Sequence, residues 1–178
     1  MNKTRTLHKN EWVSLMVFED PENGVPAYVY SHETRCDGHI VALLPYRTDK
    51  NGDFEFLLRN EPNPIWNRKD MSICSITGGL EWEDLLGTCA NELKEEGGYS
   101  ADQSEFISLG KSFGTKSTDT IFHLYTIDLT DRTREEATGD GSALEEQSEC
   151  FWCKTISASV DPLIYVMYYR LMKHFGKI

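Results

Sequence analysis

Glu83-Asp84-Leu85-Leu86-Gly87-Thr88-Cys89-Ala90-Asn91-Glu92-Leu93-Lys94-Glu95-Glu96-Gly97-Gly98-Tyr99 is the stretch that decides how this chain is read. On a helix turning about 100° per residue, with Leu86 as zero, Cys89, Ala90 and Leu93 fall within about 60° of Leu86. They form a core-facing stripe. Glu92, Glu95 and Glu96 fall at about 240°, 180° and 280°, on a separate arc one side chain wide. Like charges three and four residues apart destabilise an isolated helix by roughly 0.2–0.5 kcal/mol per pair. A hard divalent cation held by oxygen ligands is the natural compensation. A solvated acidic face is the bland alternative. Gly97-Gly98 ends the helix, because glycine readily takes the left-handed conformation of a helix stop.

With 178 residues the chain is read as a single domain, 1–178, long enough to bury roughly 70% of its unfolded surface. Its hydrophobic content of 39% and charged content of 26% are those of an ordinary globular protein. No apolar run approaches the roughly 20 residues of a membrane span, and the first ten residues lack the apolar core of a secretory signal. A cytoplasmic location is therefore expected. The net charge of −11 argues against stable nucleic-acid binding, which depends on neutralising phosphates with Lys and Arg. A small polyphosphate would also be repelled unless cations intervene. The five cysteines, 36, 74, 89, 150 and 153, are odd in number and sit at strand and core positions. They suit a reducing compartment better than a disulfide framework. Cys150-Phe-Trp-Cys153 is a lone C-x-x-C, and zinc would need a second pair.

Outward from the acidic helix, Trp12 to Phe18 and Ala27 to Tyr30 read as strands separated by a turn at Asp20-Pro21-Glu22-Asn23-Gly24. His39 to Leu44 is an apolar run, and Phe54 to Arg59 is expected to pair back on it through the Asn51-Gly52 turn. Glu61-Pro62-Asn63-Pro64 is expected to be a loop, and Met71 to Ile76 a strand leading into Thr77-Gly78-Gly79. Phe106 to Phe113, Thr120 to Leu129 and Cys150 to Lys154 complete the strands. Residues 130 to 149 read as a long mobile loop, the kind that is usually functional or disordered. Asp161-Pro162 places a cap and an N1 proline at the start of a terminal helix running to about Gly176. Strands, one helix, more strands and one terminal helix suggest a mixed sheet sandwiched by helices.

Glu92-Leu93-x-Glu95-Glu96-x-Gly98-Tyr99, with seven residues between Glu83 and position 91 and Gly78-Gly79 upstream, resembles the Nudix hydrolase signature G-x5-E-x7-R-E-U-x-E-E-x-G-U, U being apolar. The resemblance implies an α/β/α sandwich with a mixed β-sheet, and hydrolysis of a diphosphate bond with Mg2+ or Mn2+ as cofactor. It implies Glu83, Glu92, Glu95 and Glu96 as metal ligands. Glu95 and Glu96 are candidate catalytic residues, together with Glu145 and Glu146 from the acidic loop, where Glu149 also stands. Gly78 and Gly79 would let backbone approach the substrate, though a plain turn reads equally well. Trp66 and Trp82 could stack on a base or seal the edge of the core. His123, inside a strand, reads as structural.

Two departures stand out. Asn91 occupies the family's arginine position, so the cation that orients the glutamates is missing there. Only three residues separate Gly79 from Glu83 where the family has five, which leaves Glu81 as an alternative upstream carboxylate. The chain from Trp12 onward looks similar to the ADP-ribose pyrophosphatase branch. That implies a nucleoside diphosphate linked to another moiety, ADP-ribose or a nucleotide sugar, as substrate, and possible homodimers. The other reading is a Nudix-fold nucleotide-binding module with weakened catalysis.

Overall fold

The computed structural model describes residues 3–66, 70–81, 84–139, 141 and 144–178, with Glu145 described by its backbone alone. Its organisation follows from the period-2 alternation of one strand. In β4 (His39–Leu43) Val41 and Leu43 pack with Cys89 and Leu93 of the acidic helix, α1 (Leu85–Glu92) and its continuation. Ala42, with Leu44 just beyond the strand, packs on the opposite side with Ile164, Met167 and Leu171 of α2 (Pro162–His174). A strand buried on both faces needs an apolar covering on each, and two amphipathic helices supply it.

Around β4 the order is β8 (Ile76–Gly79), β4, β10 (Ile121–Thr126) and β9 (Ile107–Phe113). β10 runs parallel to β4 and the other pairs are antiparallel, so the sheet is mixed. A second layer continues it. β6 (Phe54–Pro62) is flanked by β11 (Glu149–Cys153) and β5 (Tyr46–Thr48), and β7 (Met71–Cys74) also pairs with it. Leu57 of β6 joins the α1 side, while Phe56 and Leu58 join the α2 side. The result is an α/β/α sandwich. The N-terminal β1 (Thr4–Lys9), β2 (Val13–Asp20) and β3 (Val25–Glu33) form a separate antiparallel sheet. It joins the body where Ser31 N donates to the Ser117 carbonyl at 2.9 Å and His32 meets Asp119. Among the described residues no helix is long and apolar enough to cross a membrane.

Three sequence expectations are corrected. β6 pairs with β5 rather than β4, because Pro45 ends the apolar run and its carbonyl accepts from Leu57 N at 2.9 Å. Glu61 and Pro62 are strand, paired with Ser72 and Met71, proline being tolerated at a strand end where no ladder donor is needed. The strand expected over Met71 to Ile76 is two strands, one in each layer. The break falls at Ser75, whose N–H and Oγ–H both donate to Asp161 Oδ2 at 2.9 and 2.5 Å. Asp161 Oδ1 in turn accepts from Leu163 N at 2.8 Å, so one buried carboxylate caps α2 and fixes the entry to β8.

Candidate active site

Asp84 starts α1: its Oδ1 accepts from Gly87 N at 2.9 Å and its carbonyl from Thr88 Oγ1 at 2.8 Å. Cys89 and Leu93 are fully buried, as the sequence stripe requires. Beyond Glu92 the helix widens over Leu93–Gly97, where the Gly98 N–H reaches both the Leu93 and Lys94 carbonyls. Bonding to the fifth residue back shifts the phase of the residues that follow, and such widened turns recur at functional sites. Gly98 stops the helix at φ 74°, and Tyr99 N donates to the Leu93 carbonyl at 3.2 Å.

The glutamate arc faces two adjoining clefts. One, of about 310 Å³, is lined by Glu92, Glu95 and Glu96 from the helix and by Gly78, Gly79 and Glu81 from β8 and the turn after it. A β-carbon on Gly78 would overlap the Glu92 side chain, so glycine here makes room for a carboxylate against the strand. The second cleft, of about 350 Å³, lies on the other side of Glu95 and Glu96. Its other walls include Arg59, the 137–139 strap, Glu146 and Glu149. The segment after Leu129, read as a mobile loop, is tied to the helix end here. Glu135 N donates to the Gly98 carbonyl at 2.8 Å and Gly139 N to the Glu95 carbonyl at 3.0 Å.

Two arginines offset this concentration of negative charge at a helix C-terminus, where the backbone dipole also disfavours anions. Arg134 donates from Nε to the Gly97 carbonyl at 2.9 Å and from Nη1 to the Cys150 carbonyl at 2.8 Å. Arg59 ion-pairs with Glu96 through Nη1 and Oε1, and its Nε stands 3.4 Å from Glu61 Oε2. The Arg59 and Glu96 side chains are only 8% and 4% exposed. Sequence reasoning missed Arg59, although a signal was present. It ends the apolar run Phe-Leu-Leu of a central strand, and a buried arginine must find a carboxylate.

The carboxylates around the clefts are oxygen donors, which suit Mg2+ or Mn2+, and the one thiol there, Cys36, is held protonated by burial. One atom asks for a partner: Glu96 Oε2 is sealed from solvent and makes no hydrogen bond among the described residues. A buried carboxylate oxygen left so is costly, and a cation would relieve it. Among the described residues no three His, Cys, Asp or Glu side chains are already gathered around one ion position. The residues fit a hard cation by chemistry rather than by a closed cage.

Other residues singled out in the sequence lie as follows. Glu83 and Trp82 fall outside the described residues, as does the side chain of Glu145. Glu81, the alternative upstream carboxylate, lines the first cleft. Asn91 is exposed. Trp66 is not among the glutamates. It lines a separate cavity of about 530 Å³ with Phe113, Phe122, Asn63 and Glu61. Thr77 borders both it and the first cleft, but Leu163 and Val166 of α2 also line this cavity, so it lies on the α2 side of the sheet and the glutamates on the α1 side. His123 is buried and its Nε2 lies 2.9 Å from His39 Nδ1, a structural placement. All five cysteines are free. Burial pushes the Cys150 thiol up to about 11 and the Cys89 thiol to about 12, so neither offers a thiolate at neutral pH.

A solved structure described as an ADP compounds hydrolase is similar to this chain over 99% of its length and 95% of that protein's own, with a TM-score of 0.62 and 14% sequence identity. No family model matches the chain, and no curated protein does. At that identity the likeness is one of fold, and the fold is an α/β/α sandwich with a mixed sheet.

Proposed function

We propose that this protein is a divalent-metal-dependent hydrolase that cleaves the diphosphate bond of a nucleoside diphosphate linked to another moiety, of the ADP-ribose or nucleotide-sugar type. One observation carries the proposal. Glu92, Glu95 and Glu96 share a cleft with Gly78 and Gly79, and one of them keeps a buried oxygen without a partner. Glu92, Glu95 and Glu96 would hold Mg2+ or Mn2+, with Glu83 as a further ligand. When bound, the cation supplies charge neutralisation of the diphosphate and of the leaving group.

The chain's own residues supply the rest. Gly78 and Gly79 let the strand backbone approach the phosphates without a side chain between. Glu146, facing Glu95 and Glu96 across the second cleft, is well placed to accept a proton from an attacking water; Glu145 is the neighbouring candidate and Glu149 a further one. Trp66, Phe113 and Phe122 would offer an organic moiety an aromatic wall, in a cavity lined also by Pro162, Leu163 and Val166 of α2. Stacking of a base on such a wall contributes roughly 1–3 kcal/mol. A reducing, cytoplasmic setting and a homodimer belong to the same proposal, the latter read directly by sedimentation.

The test is incubation of the purified chain with Mg2+ and a panel of nucleoside diphosphate compounds, with released phosphomonoesters measured. Glu95→Gln and Glu96→Gln are expected to lower turnover by orders of magnitude with circular dichroism unchanged. Unchanged turnover in both variants refutes the site. Binding without cleavage favours the second reading, a nucleotide-binding module with weakened catalysis. That reading draws on Asn91 and on the shortened spacing between Gly79 and Glu83, and the pairing of Glu96 with Arg59 adds to it.

A further inference from the structure

Asn91 leaves the acidic helix without its own orienting cation, yet Glu96 is not without one. Arg59 arrives from β6, far away in sequence, and its guanidinium takes Glu96 Oε1 while also reaching toward Glu61. The contact is asymmetric. Oε1 is held, and Oε2 is buried with no partner among the described residues. Both side chains are more than nine-tenths buried, so the pair is fixed by packing rather than loosely associated at the surface.

We propose that Arg59 is the positioning residue for the metal site: it clamps one oxygen of Glu96 so that the other, Oε2, is presented to a divalent cation. The proposal rests on the metal-dependent reading above and names the device that replaces the missing arginine at position 91. Metal-ligating carboxylates are commonly held by an outer hydrogen-bond partner that fixes their direction, and losing that partner typically weakens metal binding by about 10–100-fold. A guanidinium near a cation site also repels the cation, so the sign needs deciding. Arg59 and Arg35 are the positive charges lining the two clefts, against Glu81, Glu92, Glu95, Glu96, Glu146 and Glu149, with Glu61 beside Arg59 as well. The surroundings stay net negative with Arg59 present, and its planar fork aims Glu96 as a point charge would not. Orientation therefore outweighs repulsion.

The experiment measures Mn2+ binding to the full chain by the loss of the free-ion electron paramagnetic resonance signal. It compares the wild type, Arg59→Gln and Arg59→Lys, each first checked for native circular dichroism and thermal unfolding. Arg59→Gln is expected to bind Mn2+ 10–100-fold more weakly, with Arg59→Lys between it and the wild type. Partial rescue by the conservative variant is what a purely packing role would not give, because lysine keeps the charge but loses the fork. Should Arg59→Gln fail to fold, Arg59→Lys carries the test, with at least fivefold weaker binding expected. Mn2+ affinity within twofold of wild type, or tighter, in a folded variant overturns the positioning role alone. A wild type that takes up no Mn2+ overturns the metal-dependent reading beneath it.

Discussion

Gly78→Ala separates the stability of this fold from the working geometry of its site. Gly78 lies in β8, paired with Val41 of β4, and its φ is not in the left-handed region, so alanine can adopt its backbone. The obstacle is Glu92. A β-carbon at position 78 would lie 2.5 Å from Glu92 Cγ, with the carboxyl closer still. Ordinary contact begins at about 3.4 Å, so Cγ must retreat by about 0.9 Å and the carboxylate by more. Glu92 is half-buried and flexible, and a strained rotamer costs roughly 0.5–1.5 kcal/mol. Replacing a strand glycine by alanine returns roughly 0.5–1 kcal/mol. Stability should then change by less than about 1 kcal/mol. Activity should not be spared, because a displacement of about 1 Å at a catalytic group costs on the order of 100-fold. The assay pairs urea unfolding with kcat/KM for Mg2+-dependent diphosphate cleavage. A variant within threefold of wild type in kcat/KM, and natively stable, would show that Glu92 is no part of the working site. A loss of more than about 2 kcal/mol would show instead that Gly78 is there for packing.

Three further outcomes concern the scaffold. Gly98→Ala should destabilise by more than about 2 kcal/mol, because a left-handed non-glycine residue costs roughly 1–2 kcal/mol and the new β-carbon would meet the Glu135 carbonyl at 2.5 Å; a smaller shift in the urea midpoint would contradict the strap's close packing. Asp161→Ala should cost about 2–4 kcal/mol, combining a lost helix cap with two Ser75 donors left buried. A loss below about 1 kcal/mol would deny its role as a tie between α2 and β8. The His123 imidazole is held below its ordinary pKa by burial first, then by the Lys111 charge and His39. The unfolded chain therefore binds the extra proton first as pH falls. Stability due to this group is full above about pH 6.5 and declines below it, by at most about 1.36 kcal/mol per pH unit. Denaturant titrations from pH 8 to 5 on wild type and His123→Asn should show that slope in the wild type and its reduction in the variant; parallel curves would refute it.

The elements legible in the sequence were those whose signals are local. The α1 stripe of Cys89 and Leu93, the Gly98 stop and the Asp161-Pro162 start each depend on residues within a turn or two, and all stand as read. What failed was partner choice. Asn51-Gly52 made a hairpin with Phe54 to Arg59 legible, but which strand it closed on depended on Pro45 and on Leu57 N finding the Pro45 carbonyl. The break at Ser75 was equally out of reach, because its cause, Asp161, lies 86 residues away. β1 went unread as well: its alternation is polar on both faces, and most of it is exposed.

The site divides along the same line, and the division bears on how its chemistry is built. Glu92, Glu95 and Glu96 follow from spacing on one helix, and their common cleft with Gly78 joins segments close in the chain. Trp66, read as a surface for a base or a seal of the core edge, lines a separate cavity with Phe113 and Phe122. Arg59 was invisible because nothing near it in sequence says that a helix glutamate will come to rest beside it. Yet the two gaps explain each other. A buried arginine after the apolar run of a central strand requires an anion, and a helix with three crowded glutamates and an uncharged Asn91 beside them requires a cation. A single pairing, Arg59 with Glu96, satisfies both and still leaves one carboxylate oxygen unclaimed. An arrangement that existed only to neutralise buried charge would have closed on both oxygens, as arginine's bidentate fork readily does. On the metal-dependent reading proposed above, the oxygen left over is where a bound cation would couple to the stability of this core.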